Sequence, residues 1–209
     1  MVWDRILKGI SKQNKLSFSR TELDKVLESS EYTPKSLITL FEKDLGKIFN
    51  TDSGVREKYS VKRHTLMVIG QFEKYFANQE LPAGMSKNFF RTFLALHDIG
   101  KSEAIKKTGD KHNQHRYTSK IMSSVLSQLN FSDEEVSVAV ALVFGDVIGG
   151  YIRDHYSGKK ATEELAKMAD DAGLPFYDFL KLLLVFYQAD AGSYTEDAGG
   201  LKSLDHLSP

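Results

Sequence analysis

The chain has 209 residues with 28 basic and 28 acidic side chains, so it can bury a sizeable core, as one large domain or as a domain with an appendage, and carries no net charge. Bulk attraction to nucleic acid or to an anionic membrane is therefore not expected. It contains no cysteine, which excludes disulfides, thiolate metal sites and cysteine nucleophiles and leaves only nitrogen and oxygen ligands for a metal.

No uninterrupted apolar run reaches the roughly 18 residues of a membrane span. Residues Met1 to Lys8 lack a basic stretch followed by an apolar core, so no signal peptide of the usual kind is expected. A cytoplasmic chain is predicted, specialised export being invisible at this level.

Nearly every segment has helical period, and strand alternation is absent. Thr21 to Ser29 sets Leu23, Val26 and Leu27 on one face. Pro34 starts a second helix carrying Leu37, Ile38, Leu40, Phe41, Leu45 and Ile48, since proline fits a first helical turn. The longest amphipathic stretch runs from about Val55 to Asn78 and is followed by a turn at Leu81–Gly84. Ser86 can cap the next helix, through Phe89, Phe90, Phe93 and Leu94 to His97.

A polar loop around Lys106 to Asn113 leads to a helix over His115 to Asn130. Ser132 and Glu135 have capping-box spacing for a helix through Val136, Val140 and Val143. Thr162 and Gly173 bracket a short helix as cap and stop. Pro175 opens Phe176 to Ala191, apolar on most of its circumference and so expected to be central. The prediction is an all-α, compact multi-helix globule. It has an N-terminal helical extension (1–54) packed on a main domain (55–191), and a loosely ordered polar tail (192–209).

Three features stand out on this helical background. His97-Asp98 ends an apolar run just before Gly100 and Lys101. Adjacent residues on a regular helix point about 100° apart, but at a helix end that opens into a glycine-assisted turn both can aim at one point. His64 lies in the long helix among Leu66, Val68 and Ile69. Asp190 ends the helix expected to be the most buried, where a carboxylate opposes the macrodipole and calls for a compensating cation. Each has a plainer reading: a boundary histidine, a helix-end cap, a cap for the following segment. Joined in order, they suit a divalent transition metal.

That order, a histidine, then His-Asp, then Asp at the end of a later core helix, resembles the HD-domain phosphohydrolases. The run His97-Asp98-Ile99-Gly100-Lys101 resembles that family's central motif, and the likeness extends over roughly Arg63 to Asp190. It implies one divalent ion (Mn, Fe, Co, Ni, Mg or Zn) held by His64, His97, Asp98 and Asp190. The ion would lower the pKa of a water and polarise a phosphoryl group. Lys101 is expected as a mobile point charge that stabilises developing negative charge. His115, where many members carry a further histidine, is expected to bind a phosphate oxygen or pass a proton to the leaving group.

Members with two metals usually place another histidine on the following helix. Here Ala141 to Ile148 has none, and Asp146 is the polar group available. One metal is therefore expected, with Asp146, inside an apolar helix, acting as general base or binding a sugar hydroxyl. Arg153, Asp154 and His155 either rim the pocket or are ordinary surface, and His112 is read as solvated loop.

The function implied is hydrolysis of a phosphomonoester or phosphodiester. The partner is a small phosphorylated substrate, a nucleotide or related metabolite, with no membrane and no strong general nucleic-acid binding. The alternative is a catalytically weak HD-fold module that binds a ligand or regulates a partner.

Overall fold

Helices in the computed structural model begin where the chain offers a hydroxyl at the end of an extended segment. The structure describes residues 15–54, 58–110 and 113–194, so Met1 to Lys8, His112 and most of the tail lie outside the described residues. Helix α1 (Arg20–Leu27) starts from a Ser19–Glu22 capping box, and α2 (Pro34–Phe49) from a Thr33–Ser36 box with proline at its first position. Each box satisfies backbone donors that a helix start leaves open.

Helix α3 spans Val61–Tyr75 and is capped by Ser60, whose hydroxyl accepts from the Arg63 N–H. The expected start at Val55 lies outside the described residues, and Lys58 to Ser60 are not helical. Ser60 pairs with Asp52 in an isolated antiparallel bridge, and the Ser53 N–H donates to the Tyr59 carbonyl at 2.8 Å. A 3-10 turn at Pro82–Gly84 precedes α4 (Lys87–Leu96), capped by Ser86 as expected. Helix α5 (Lys101–Thr108) occupies much of what the sequence reads as turn and loop, ending at Gly109 with φ 69°.

Helix α6 covers Gln114–Gln128, and α7 (Asp133–Leu142) starts from the expected Ser132–Glu135 box. Helix α8 (Val147–Ile152) is capped by Asp146, which therefore precedes a helix rather than sitting inside one. Helix α9 (Gly158–Ala172) is capped by Ser157, not Thr162. The Thr162 hydroxyl bonds back to the Gly158 carbonyl at 2.9 Å, because its backbone is already helical. Helix α10 (Phe176–Ala191) follows Pro175.

The stretch Asp133–Ile152 has the length and composition of a membrane span. Here it is two helices separated at Val143–Asp146, and α7 packs between α6 and α9.

Packing closes on itself: α3 lies on α4, α4 on α6, α6 on α7, α7 on α9, α9 on α10, and α10 on α3. The described residues form an all-α fold with no strands, and their one β-type pairing is the Asp52–Ser60 bridge. Helices α1 and α2 share this core; Leu37, Ile38 and Phe41 are fully buried in one apolar cluster with Phe72, Phe93 and Leu182. A file of rings runs from Phe72 through Phe90 (5.1 Å) and Phe93 (5.3 Å) to Phe186 (4.9 Å) and ends on His97 (5.7 Å). The core thus fixes the place of the histidine.

Candidate metal centre

The turn from His97 to Gly100 joins α4 to α5. Helix α4 ends with a carbonyl needing a donor, and the His97 ring supplies it: Nδ1 lies 2.7 Å from the Leu94 carbonyl oxygen. A carbonyl only accepts, so Nδ1 carries the proton. In the neutral ring, Nε2 then presents a lone pair. That Nε2 is buried and has no hydrogen-bond partner.

His64 comes to the same place from the buried face of α3, shared with Val61, Thr65 and Val68. The Ser193 hydroxyl donates to the Asp190 carbonyl oxygen at 2.6 Å. Its proton is committed there, so Ser193 Oγ can only accept from His64 Nδ1, at 3.3 Å. His64 Nε2 is thereby turned to Asp190 Oδ1 at 2.9 Å and Asp98 Oδ2 at 3.4 Å. His97 Nε2 lies 3.6 Å from Asp98 Oδ2 and 3.7 Å from Asp190 Oδ1.

Two imidazole nitrogens and two carboxylates thus converge, all acceptors when the rings are neutral. Either protons or a metal ion must lie among them. Ligand bonds of about 2.1 Å put donor atoms about 3.0 to 3.4 Å apart at octahedral to tetrahedral angles. The four histidine–carboxylate separations, 2.9 to 3.7 Å, bracket that range. His64, His97 and Asp98 form a buried group that could hold a metal ion, their donor atoms all within 4.8 Å of one another. Asp190 stands beside them with a side chain 33 % exposed, so the group is reached from its side.

The electrostatics carry the same imprint. Burial opposes ionisation of Asp98, yet Lys101, His97 and His64 together hold its carboxyl below the usual range. Burial likewise opposes ionisation of Asp190, and the two histidines outweigh it. For His97, burial works against the charged ring, but Asp98 and Asp190 raise its pKa above the ordinary value.

Lys101 departs from the sequence expectation. It is buried, and its Nζ donates to Asp98 Oδ2 at 2.5 Å, so it is a fixed partner of a candidate ligand rather than a mobile charge. The i, i+3 spacing across the turn places it there. Gly100 makes the turn possible: a Cβ on it would lie 2.2 Å from the Thr118 nitrogen and 2.7 Å from the Tyr117 carbonyl carbon. The bare backbone instead donates to Thr118 Oγ1 at 3.1 Å, docking α6 on the turn.

His115 sits one helical turn before Thr118, its ring 5.8 Å from that of Phe144. Asp146 accepts from the Gly149 N–H at 2.9 Å and pairs with Arg153 at 2.7 Å, a mostly exposed ion pair. Sequence reasoning missed Ser193 and Tyr194. Of the tail expected to be loosely ordered, residues 192–194 are described and the rest lies outside the described residues: Ser193 is buried, and the Tyr194 ring stacks on His64 at 4.8 Å with its hydroxyl 3.3 Å from Nε2. A polar, glycine-bearing segment has no periodicity to announce such a contact.

Comparison of the chain with protein-family models, with curated proteins and with solved structures returns no match.

Proposed function

We propose that the chain is a metal-dependent phosphohydrolase of the HD type. It would hold one divalent ion on His64, His97, Asp98 and Asp190 and hydrolyse a phosphomonoester or phosphodiester of a nucleotide or related metabolite. The observation that carries this reading is the pair of imidazoles whose Nδ1 atoms are committed to fixed acceptors while their Nε2 atoms face two carboxylates. The His97-Asp98-Ile99-Gly100-Lys101 run supports it from the sequence.

A bound divalent ion supplies the Lewis acidity that activates water and polarises a phosphoryl group. The two rings and two carboxylates orient it, and the partial exposure of Asp190 gives substrate its approach. An ammonium has three donors; beyond the bond to Asp98, those of Lys101 suit a phosphate oxygen. His115 is assigned to the phosphate or the leaving group. Asp146, tied to Gly149 and Arg153, is left out of the chemistry.

The test is to reload metal-free protein with Mn, Co, Mg, Ni or Fe and screen it against nucleoside monophosphates, cyclic nucleotides and dNTPs. Turnover that Asp98→Ala abolishes is the expected result. Inactivity across the panel with metal demonstrably bound would overturn the catalytic part. One observation favours the second reading, a ligand-binding or regulatory module: Lys101 is already engaged by Asp98. That module would bind metal and nucleotide without turnover.

A further inference from the structure

We propose that Ser193 is a positioning residue of the metal centre, holding His64 in the one neutral tautomer that can act as a ligand. The inference rests on the metal-centre reading above. The two candidate ligand rings are oriented by different devices. His97 uses a carbonyl of its own helix, Leu94, so its tautomer is set as soon as α4 forms. His64 lies near the N-terminus of α3, where each carbonyl already accepts from an N–H of the following turn, and must borrow an acceptor from elsewhere.

Ser193 is that acceptor. It is buried, which keeps water from competing, and its hydroxyl proton is held by the Asp190 carbonyl at 2.6 Å. The oxygen left to face His64 Nδ1 at 3.3 Å can only accept. The same hydroxyl thus ties together the ring of one ligand and the backbone of another. Tyr194 follows and stacks on the His64 ring, restricting its rotation. Without the hydroxyl, the neutral ring reverts toward the Nε2–H form that free imidazoles favour. It would then meet Asp190 with a proton where the ion needs a lone pair.

Two measurements test this on the full chain. Mn(II) titration of Ser193→Ala should give an affinity about 10- to 100-fold below wild type, the usual cost of losing a partner that orients a ligand. Ser193→Thr, which restores the hydroxyl, should recover most of it. Nitrogen-15 spectra of the histidine rings in metal-free protein, at a pH where they are neutral, should give His64 as Nδ1–H in wild type and shift it toward Nε2–H in Ser193→Ala. His97 should stay Nδ1–H in both, a selectivity that a loosened fold would not produce. Equal Mn(II) affinity in wild type and Ser193→Ala overturns the inference alone. Nε2–H on His64 in the wild type also overturns it, whether or not a variant folds. Failure of the wild type to bind any divalent ion instead overturns the metal-centre reading on which the inference stands.

Discussion

Replacing Asp98 by asparagine keeps the outline of the side chain and removes its charge, which strands the Lys101 ammonium. The two side chains are 4 % and 7 % exposed and joined at 2.5 Å, so water cannot take over the lost role. Removing one partner of a buried ion pair costs about 3–5 kcal/mol. For a domain of this size each kcal/mol lowers Tm by about 2–4 °C, so Asp98→Asn should melt about 6–20 °C below wild type. Lys101→Met should cost less, about 1–3 kcal/mol, because Asp98 keeps His97 Nε2 at 3.6 Å and that ring can carry a compensating proton. The double variant, with no ammonium left to strand, should be more stable than Asp98→Asn alone. Thermal and urea unfolding of all four proteins, with chelator present throughout, completes the cycle. A loss below about 1 kcal/mol for Asp98→Asn would refute the buried-pair account. So would a double variant no more stable than Asp98→Asn.

Gly100→Ala should destabilise the protein by about 3 kcal/mol or more, since the added Cβ meets the backbone of Thr118 at 2.2 Å and backbone cannot yield as a side-chain tip can. Urea unfolding that leaves Gly100→Ala equal to wild type would contradict that packing. Mn(II) affinity should climb with pH from about 6.5 upward, because a ligating ring must lose its proton and the His97 pKa lies above the ordinary value. The gain should approach tenfold per pH unit for each proton displaced, and calorimetric titrations flat across that interval would count against it. Without metal the sign reverses. The raised pKa of His97 gives stability that is full below about 6.5 and is lost as pH rises through the folded value, whereas the depressed pKa of Asp98 gives stability that is present above about 3.9 and is lost as pH falls through its folded value. Melting curves of the metal-free protein should therefore decline toward both ends, and a monotonic pH profile would exclude one of the two contributions.

The sequence announces those parts of the fold whose cause is local. A capping box such as Ser132–Glu135 satisfies its own helix start, and Pro34 and Pro175 act through their own geometry, so each is found where its residues point. A hydroxyl alone is ambiguous. Ser157 and Thr162 are chemically alike, and only the extended backbone at Ser157, with ψ 155°, makes it the cap. Helix α5 escaped notice because it is polar along most of its length, with Ser102 and Ala104 as its small buried residues behind Lys101. The same division runs through the candidate site. His97-Asp98 is legible because an apolar run ending in two polar groups is a local anomaly. Ser193 and Tyr194 owe their order to His64, far away in sequence, and no pattern around them encodes that partner.

The convergence of these groups has an electrostatic consequence that no single residue reveals. A buried carboxylate costs several kcal/mol unless compensated. Lys101 compensates one, Asp98. Asp190, with its side chain 33 % exposed, is partly hydrated and has two imidazole nitrogens before it, both acceptors while the rings are neutral and carry their protons on Nδ1. The Leu94 carbonyl and the Ser193 hydroxyl favour the tautomers that turn lone pairs toward Asp190, and for His64 they do so against its 2.9 Å approach to Asp190 Oδ1. With both rings in those tautomers the centre gains from either a proton taken up on a histidine or a bound cation. The raised pKa of His97 is the first of these outcomes. A bound metal ion is the second, and His64, His97 and Asp98, with donor atoms within 4.8 Å of one another, could hold one.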